Sequence, residues 1–211
     1  MQGSRIAKNT STLMKQLILI SFFFISLNLL AREIQETTFS YWDKPDSQIY
    51  YSTPDSIDAN TKIIFIMHGA SRSAEKYLND WLPVAKNRNV VLIAPEFSKE
   101  SYPEYVYLMM GTERGKLLKD QSLYLTDSLG LMFDYFKAKL KLSTSTFRLY
   151  GHSGGSQFVH RYLLLSDESR IEKAAMANAG FYTFADDQIS YPFGIKNMNV
   201  SNERLEWFLR L

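Results

Sequence analysis

Three short apolar runs with little polar alternation constrain the fold of this chain more than any other feature. They read KIIFIM at 62–67, VVLIAP at 90–95 and TFRLYG at 146–151. A strand of this kind is buried on both faces, which is typical of a parallel sheet covered by helices. The segment KAAMANAG at 173–180 predicts a weaker fourth strand of the same sheet.

Helical patterns separate these strands. The first helix is expected to start after a cap at Ser73 and to end or kink at Pro83. Apolar residues spaced by three and four from Leu125 to Leu140 predict a long amphipathic helix, and NERLEWFLRL at 202–211 predicts another. Strands that alternate with helices indicate an α/β fold with a mainly parallel sheet and right-handed crossovers.

A hairpin is predicted ahead of these elements. The runs TTFSYW at 37–42 and QIYYST at 48–53 are rich in aromatic and β-branched residues, and KPDS lies between them. Proline, aspartate and serine favour a turn. We therefore expect two paired strands joined by KPDS.

Length, charge and composition exclude several classes of protein. The chain has 211 residues, which allows one domain or a small domain with an appendage. Its formal net charge of +2 gives no reason to expect nucleic acid or an anionic membrane as a partner. With no cysteine, it cannot form disulfides or use thiolates. No motif indicates a metal, a nucleotide phosphate or a dinucleotide, so we expect no cofactor.

The amino terminus resembles a targeting segment. The run LILISFFFISLNLLA at 17–31 follows basic residues and is shorter than the roughly 20 apolar residues of a spanning helix. It fits the apolar region of a signal peptide, with Ala31 at the cleavage point. An uncleaved anchor and a buried helix are the alternatives. We expect a signal peptide at 1–31, a folded domain at 32–211, a periplasmic or secreted location, and membrane contact only during export.

The motif with chemical content lies between an apolar strand and a helical pattern. Within LYGHSGGSQFVHRYLLL at 149–165, a G-x-S-x-G sequence is formed by Gly151, His152, Ser153, Gly154 and Gly155. In a tight turn from strand to helix, flanking glycines avoid collisions and the serine takes a strained backbone. This context predicts a nucleophile elbow, with the serine hydroxyl projecting from the turn.

A second turn can supply part of an oxyanion hole. The run KIIFIM leads directly into His68, Gly69 and Ala70. The backbone N–H of Ala70 is the candidate donor, together with that of Gly154 at the start of the elbow helix. We interpret His68 as a structural residue of this turn, and His152 as a buried elbow side chain beside the serine.

The segments HGASRSAEKYLNDW and GHSGGSQFVHRYLLL resemble the α/β-hydrolase superfamily, and within it exported esterases similar to poly(3-hydroxybutyrate) depolymerases and feruloyl esterases. APEFS, ANAGFYT and YPFGIK are also similar to that group. The resemblance implies Ser153 as nucleophile and Ala70 and Gly154 as oxyanion donors. It also implies hydrolysis of a small or polymeric ester through an acyl-enzyme.

The sequence departs from this family after the elbow. The family order is serine, acid, histidine, yet the one histidine after Ser153 is His160, which we interpret as structural. Asp186 and Asp187 are weak stand-ins for the acid. The chain stops after its sixth predicted strand, so we expect a hydrolase fold that lacks the last strands and is incomplete at the carboxyl terminus.

Two further questions stay open from the sequence. An exported, non-catalytic binding protein is the alternative to an esterase, and a peptidase or acyltransferase on the same fold is not excluded. Aromatic residues that either line a substrate groove or pack in the core are Tyr102, Tyr105, Tyr107, Phe181 and Tyr182.

Overall fold

The computed structural model of the protein describes residues 32–211. The predicted signal peptide at 1–31 lies outside these residues, so export stays a prediction. The strands are β1 Gln35–Phe39, β2 Ser47–Ser52, β3 Lys62–Met67, β4 Val90–Glu96, β5 Phe147–His152 and β6 Ile171–Ala177. The helices are α1 Ala74–Ala85, α2 Ser128–Lys139, α3 Gly154–Leu165 and α4 Asn202–Arg210.

In the described part of the chain, six strands form a sheet in the order β1-β2-β4-β3-β5-β6. β1 pairs with β2, and β2 with β4, in antiparallel direction. β4, β3, β5 and β6 run parallel to one another. The α/β class, the mainly parallel sheet and the hairpin around KPDS are therefore confirmed.

Alternate side chains of β3 enter two different cores. Phe65 and Met67 pack with Phe147 of β5 in a cluster that includes the buried residues of α2 and α3. Ile66 packs instead with Leu78 of α1 on the opposite face. Burial of apolar surface contributes about 25 cal/mol per Å², so both faces of the central strands stabilise the fold. This explains why these strands lack polar alternation.

β3 and β5 are neighbours in the sheet, but the chain that follows β3 and the chain that follows β5 turn to opposite faces of it. β3 leads to α1 and β5 to α3, and the two strands are paired from Ile64–Arg148 to Met67–Gly151. Where connections diverge in this way, a crevice opens at the carboxyl ends of the strands, and α/β proteins bind ligands there. The turns that follow Met67 and His152 lie side by side at this edge, where the rule predicts a ligand site.

Helix α1 differs from the sequence prediction at both ends. Ser73 has φ −92° and ψ 67°, outside the extended backbone usual for a capping residue, and its side chain makes no capping hydrogen bond. The helix does begin there, because the N–H of Tyr77 donates to the carbonyl of Ser73. Pro83 lies inside the helix, which continues two residues further to Ala85.

Residues 32–211 contain no group of three or more His, Asp or Glu side chains arranged to hold a metal ion. No helix in this range is both long enough and apolar enough to cross a bilayer.

Candidate active site

Ser153 lies where β5 ends and α3 begins. Its backbone has φ 55° and ψ −121°, a conformation that residues other than glycine rarely adopt and that the surrounding structure must hold in place. Its N–H donates to the carbonyl of Ala177 in β6 at 2.9 Å, and its own carbonyl accepts from the N–H of Ser156 at 3.0 Å. Hydrogen bonds to both the sheet and the helix thus hold the strained residue.

Two glycines allow the backbones to approach closely at this turn. A Cβ atom at Gly151 would lie 2.3 Å from the carbonyl oxygen of Gly155, and one at Gly155 would lie 2.0 Å from the carbonyl oxygen of Met67. Real Cβ contacts are essentially never shorter than 3.0 Å. Contacts between main-chain atoms therefore impose the glycine spacing of the motif, and one of these contacts joins the elbow to β3.

The backbone that follows β3 borders the serine. A Cβ atom at Gly69 would lie 3.4 Å from Cβ of Ser153, and one at Gly154 would lie 3.1 Å from the backbone nitrogen of Ala70. Gly154 is the first residue of α3, so its N–H has no acceptor within the helix, and the helix dipole adds positive potential there. The amides of Ala70 and Gly154 therefore lie close together beside Ser153.

His68 is fully buried beneath the turn that follows β3. Its Nε2 accepts a hydrogen bond from the N–H of Phe97 at 3.1 Å, and its Nδ1 lies 3.0 Å from the carbonyl oxygen of Gly69. Because an amide N–H can only donate, Nε2 is unprotonated and Nδ1 carries the proton. Burial lowers the pKa of His68 to about 4, so the ring is neutral at pH 7.

His152 contacts α1 and the segment after β6. Its Nδ1 lies 3.0 Å from the hydroxyl of Tyr77, and its Nε2 lies 3.4 Å from the side-chain nitrogen of Asn178. The ring is half-buried, and not buried as the sequence led us to expect. Its position at the carboxyl edge of the sheet, beside the exposed Asn178, explains the difference.

His160 lies two turns along α3 from Ser153, among aromatic side chains. Its ring centroid is 4.9 Å from that of Tyr182 and 5.4 Å from that of Phe208 in α4. Its Nδ1 is buried and has no hydrogen-bond partner among residues 32–211. Burial lowers the pKa of His160 to about 4, so this ring is also neutral at pH 7.

The hydroxyl of Ser153 has no hydrogen-bond partner within residues 32–211. Histidines 68, 152 and 160 are all the histidines of the chain, and none of them bonds to it. Asp186 accepts from the backbone N–H of Gln188 at 2.8 Å, and Asp187 from its side chain at 2.6 Å. The site thus combines a strained serine with two backbone donors, and both carboxylates belong to a local loop.

Sequence reasoning missed the side chains that support the turn after β3. Nη1 of Arg72 donates to the carbonyl of Phe97 at 2.8 Å, and its guanidinium lies 4.6 Å from the ring centroid of Tyr105. The hydroxyl of Tyr105 donates to the carbonyl of His68 at 3.1 Å. From the sequence, only Arg72 could have been predicted to support this turn, because it lies beside HGAS. Phe97 and Tyr105 come from later segments of the chain.

The aromatic residues considered for a substrate groove divide into two groups. Tyr102, Tyr105 and Tyr107 are buried, with at most 7% of their surface exposed, and belong to the core. Phe181 is half-buried and Tyr182 is exposed. Of these five residues, only Phe181 and Tyr182, which follow β6, reach solvent.

The structure is similar to those of several solved proteins. Poly(aspartic acid) hydrolase-1 from Sphingomonas sp. KT-1 has a TM-score of 0.77 and 32% identity, over 85% of this chain and 69% of its own. A poly(3-hydroxybutyrate) depolymerase from Bordetella parapertussis has a TM-score of 0.72 and 21% identity, over 83% and 62%. An acetyl xylan esterase from Aspergillus awamori has a TM-score of 0.56 and 12% identity, over 81% and 57%.

No protein-family model and no curated protein sequence matches the chain. The chain spans 69% of the Sphingomonas protein and less than two thirds of the other two. The Sphingomonas protein, at 32% identity, is named as a hydrolase, which supports a hydrolase kind of function. The other two, at 21% and 12% identity, show the fold alone. The six-stranded, mainly parallel sheet and the 32% identity to the Sphingomonas hydrolase together establish that this chain belongs to the α/β-hydrolase superfamily.

Proposed function

We propose that the protein is a serine hydrolase of carboxylic esters in which Ser153 is the nucleophile. The observation that carries this proposal is the backbone of Ser153, held at φ 55° and ψ −121° between β5 and α3. Strain of this kind persists where the surrounding structure enforces it, and it is concentrated at functional sites. Here the strained residue is a serine at the carboxyl edge of the sheet, beside the turn that follows β3.

The reaction would proceed in two steps. The Ser153 oxygen attacks the ester carbonyl, and the proton of its hydroxyl passes to the alkoxide, which leaves as an alcohol. Water then adds to the acyl-enzyme, which releases the acid and restores the serine hydroxyl. The N–H groups of Ala70 and Gly154 would stabilise the negative charge on the carbonyl oxygen in both steps. Each such donor is worth about 3 to 4 kcal/mol of transition-state stabilisation.

The substrate class is a polyester, an acylated polysaccharide or a small ester. The Sphingomonas relative is named for poly(aspartic acid), a polymer joined by amide bonds. Its name supports a polymeric substrate for this protein, whereas the ester bond rests on the resemblance of the sequence to esterases. We also propose that the protein is exported and acts in the periplasm or outside the cell. The basis is the apolar run at 17–31 with its preceding basic residues.

The histidines favour a second candidate function. None of the three hydrogen-bonds to Ser153; the ring of His68 is buried, that of His160 is half-buried, and both are neutral at pH 7. An elbow without a histidine base retains only the catalysis that comes from binding and the oxyanion hole, about 10³ to 10⁴ over the reaction in water. A non-catalytic protein that binds acyl compounds in the same crevice is therefore the alternative.

We predict that a fluorophosphonate probe forms an adduct at Ser153. The reaction needs the serine oxygen and the two amides, and it proceeds slowly where no base assists. The measurement is mass spectrometry of the purified, folded protein, with peptide mapping of the adduct. The variant Ser153→Ala should remain unlabelled, whereas the control Ser71→Ala, which removes an exposed hydroxyl from the neighbouring turn, should label like the wild type. A folded wild-type protein that forms no adduct contradicts the proposal.

Turnover separates the two candidate functions. Hydrolysis of a p-nitrophenyl ester by the wild type, above the rate of Ser153→Ala, supports the hydrolase and dismisses the binding protein. Equal rates in the two proteins, combined with saturable binding of an ester by both, support the binding protein instead.

A further inference from the structure

The ring of His68 joins two backbone segments that are distant in sequence. Its Nδ1–H donates to the carbonyl of Gly69 at 3.0 Å, and its Nε2 accepts from the N–H of Phe97 at 3.1 Å. The ring is fully buried, so water does not compete for either nitrogen. Nδ1 is therefore a hydrogen-bond donor and Nε2 a hydrogen-bond acceptor.

Phe97 decides which nitrogen is protonated. The opposite tautomer would place an N–H at Nε2 against the N–H of Phe97, and it would leave the carbonyl of Gly69 without this donor. In a buried setting, a donor without an acceptor carries its full desolvation cost. The segment that follows β4 thus selects the Nδ1–H tautomer.

The tautomer in turn fixes the peptide between Gly69 and Ala70. In a trans peptide the C=O and the following N–H point in opposite directions. With the Gly69 carbonyl held by His68, and also by the N–H of Arg72 at 3.1 Å, the N–H of Ala70 faces away from the His68 ring. The Ala70 nitrogen is also the atom that lies close to Gly154.

Other contacts stiffen this arrangement. Arg72 holds the carbonyl of Phe97 at 2.8 Å, so residues of the turn after β3 bind the main chain of Phe97 through both its N–H and its C=O. The ring of Tyr105 packs 4.6 Å from the His68 ring, and its hydroxyl donates to the His68 carbonyl. The His68 ring cannot tilt without breaking several of these contacts.

We propose that His68 is a positioning residue: its Nδ1–H tautomer, selected by the Phe97 N–H, aims the Ala70 N–H at the space above Ser153. The proposal rests on the proposed function for the role of that N–H as an oxyanion donor. His68 touches no reacting atom. It acts only through the orientation of the peptide between Gly69 and Ala70.

Two substitutions test the two hydrogen bonds of the His68 ring one at a time. In His68→Asn the side-chain NH₂ can reach the position of Nδ1, so the donor to Gly69 is kept and the acceptor for Phe97 is lost. In His68→Gln the amide oxygen can reach the position of Nε2, so the acceptor is kept and the donor is lost. Each variant loses one buried hydrogen bond, so their melting temperatures should fall by similar amounts.

The readout is the second-order rate constant for fluorophosphonate labelling of Ser153. We expect His68→Gln to lose about 10²-fold, the effect of removing one oxyanion donor, and His68→Asn to stay within about 5-fold of the wild type, since a retained hydrogen bond preserves the geometry. Equal losses in the two variants, in proportion to their melting temperatures, would mean that His68 only supports the fold.

A second measurement does not depend on reactivity. The ¹⁵N chemical shifts of the His68 ring, assigned by comparison with the two variants, should give a protonated Nδ1 and an unprotonated Nε2 at pH 7. The opposite tautomer overturns the positioning proposal even if Ser153 is labelled. A wild-type protein that shows the expected tautomer but no labelling contradicts the proposed function, and leaves the positioning of the peptide supported.

Discussion

Replacement of Gly155 by alanine should destabilise the folded protein severely. The added Cβ atom would lie 2.0 Å from the carbonyl oxygen and 2.6 Å from the carbonyl carbon of Met67. Both are backbone atoms of β3, a central strand that is paired on both sides, so neither can move away as a flexible side chain could. We expect a loss of at least about 4 kcal/mol, in the range of the most severe single substitutions, against a total stability of about 5 to 15 kcal/mol.

The measurement is soluble yield and urea-induced unfolding, followed by circular dichroism. Gly180→Ala is the matched control, because the nearest atom to its new Cβ would be the side-chain nitrogen of Gln157 at 3.1 Å, at the end of a flexible side chain. This control should keep wild-type stability to within about 1 kcal/mol, as most surface substitutions do. A soluble Gly155→Ala protein of wild-type stability would mean that α3 and β3 are not in contact at this turn.

The free energy of unfolding should fall steeply as the pH is lowered from about 6.5 to 4. Burial lowers the pKa of His68 and of His160 to about 4 in the folded protein, whereas an exposed histidine titrates near 6.5. The unfolded chain therefore binds protons that the folded protein excludes. Above pH 6.5 the two histidines do not lower the free energy of unfolding. By pH 4 each of them lowers it by about 3 kcal/mol.

The charged and titratable groups that face the rings support this direction. Besides burial, the positive charge of Arg72 lowers the pKa of His68, and that of Arg161 lowers the pKa of His160. Tyr105, which packs on His68, has its own pKa raised by burial, so it stays neutral at every pH of interest. Hydrogen bonds of the His68 ring with the backbone favour its protonation, but burial outweighs them.

Urea titrations at several pH values between 7 and 4 test the acid effect. Protonation of carboxylates also destabilises the protein in acid. Glu168 is an example, because its hydrogen bonds with Arg170 outweigh burial and lower its pKa. The variant His160→Leu therefore serves as the internal control: it should remove about half of the histidine contribution and leave that of the carboxylates unchanged. The same pH dependence in this variant and in the wild type would show that His160 is not buried as a neutral ring.

Features encoded by neighbouring residues could be predicted from the sequence. The runs at 62–67 and 90–95 are strands with nearly the predicted bounds, and 202–211 forms the predicted helix. The positions of Ser153 and Ala70 beside one another could also be anticipated, since each follows the carboxyl end of a buried parallel strand. Such features depend on local periodicity, on glycine spacing and on one general rule of sheet topology.

Features that depend on partners distant in sequence could not be predicted. The capping role of Ser73 was wrong because its backbone takes a different conformation, and the exposure of His152 depends on what covers the edge of the sheet. The tautomer of His68 depends on the N–H of Phe97, 29 residues away. Three tyrosines near the predicted groove became part of the core.

The sequence by itself therefore determined the class of fold, the order of its elements and the turn that carries the serine, because side-chain periodicity and backbone sterics act over a few residues. Only the tertiary structure decided that β4 lies between β2 and β3, which histidines are buried, and which backbone groups surround Ser153. Those outcomes arise from packing and hydrogen bonding between segments whose separation along the chain leaves no local pattern to read.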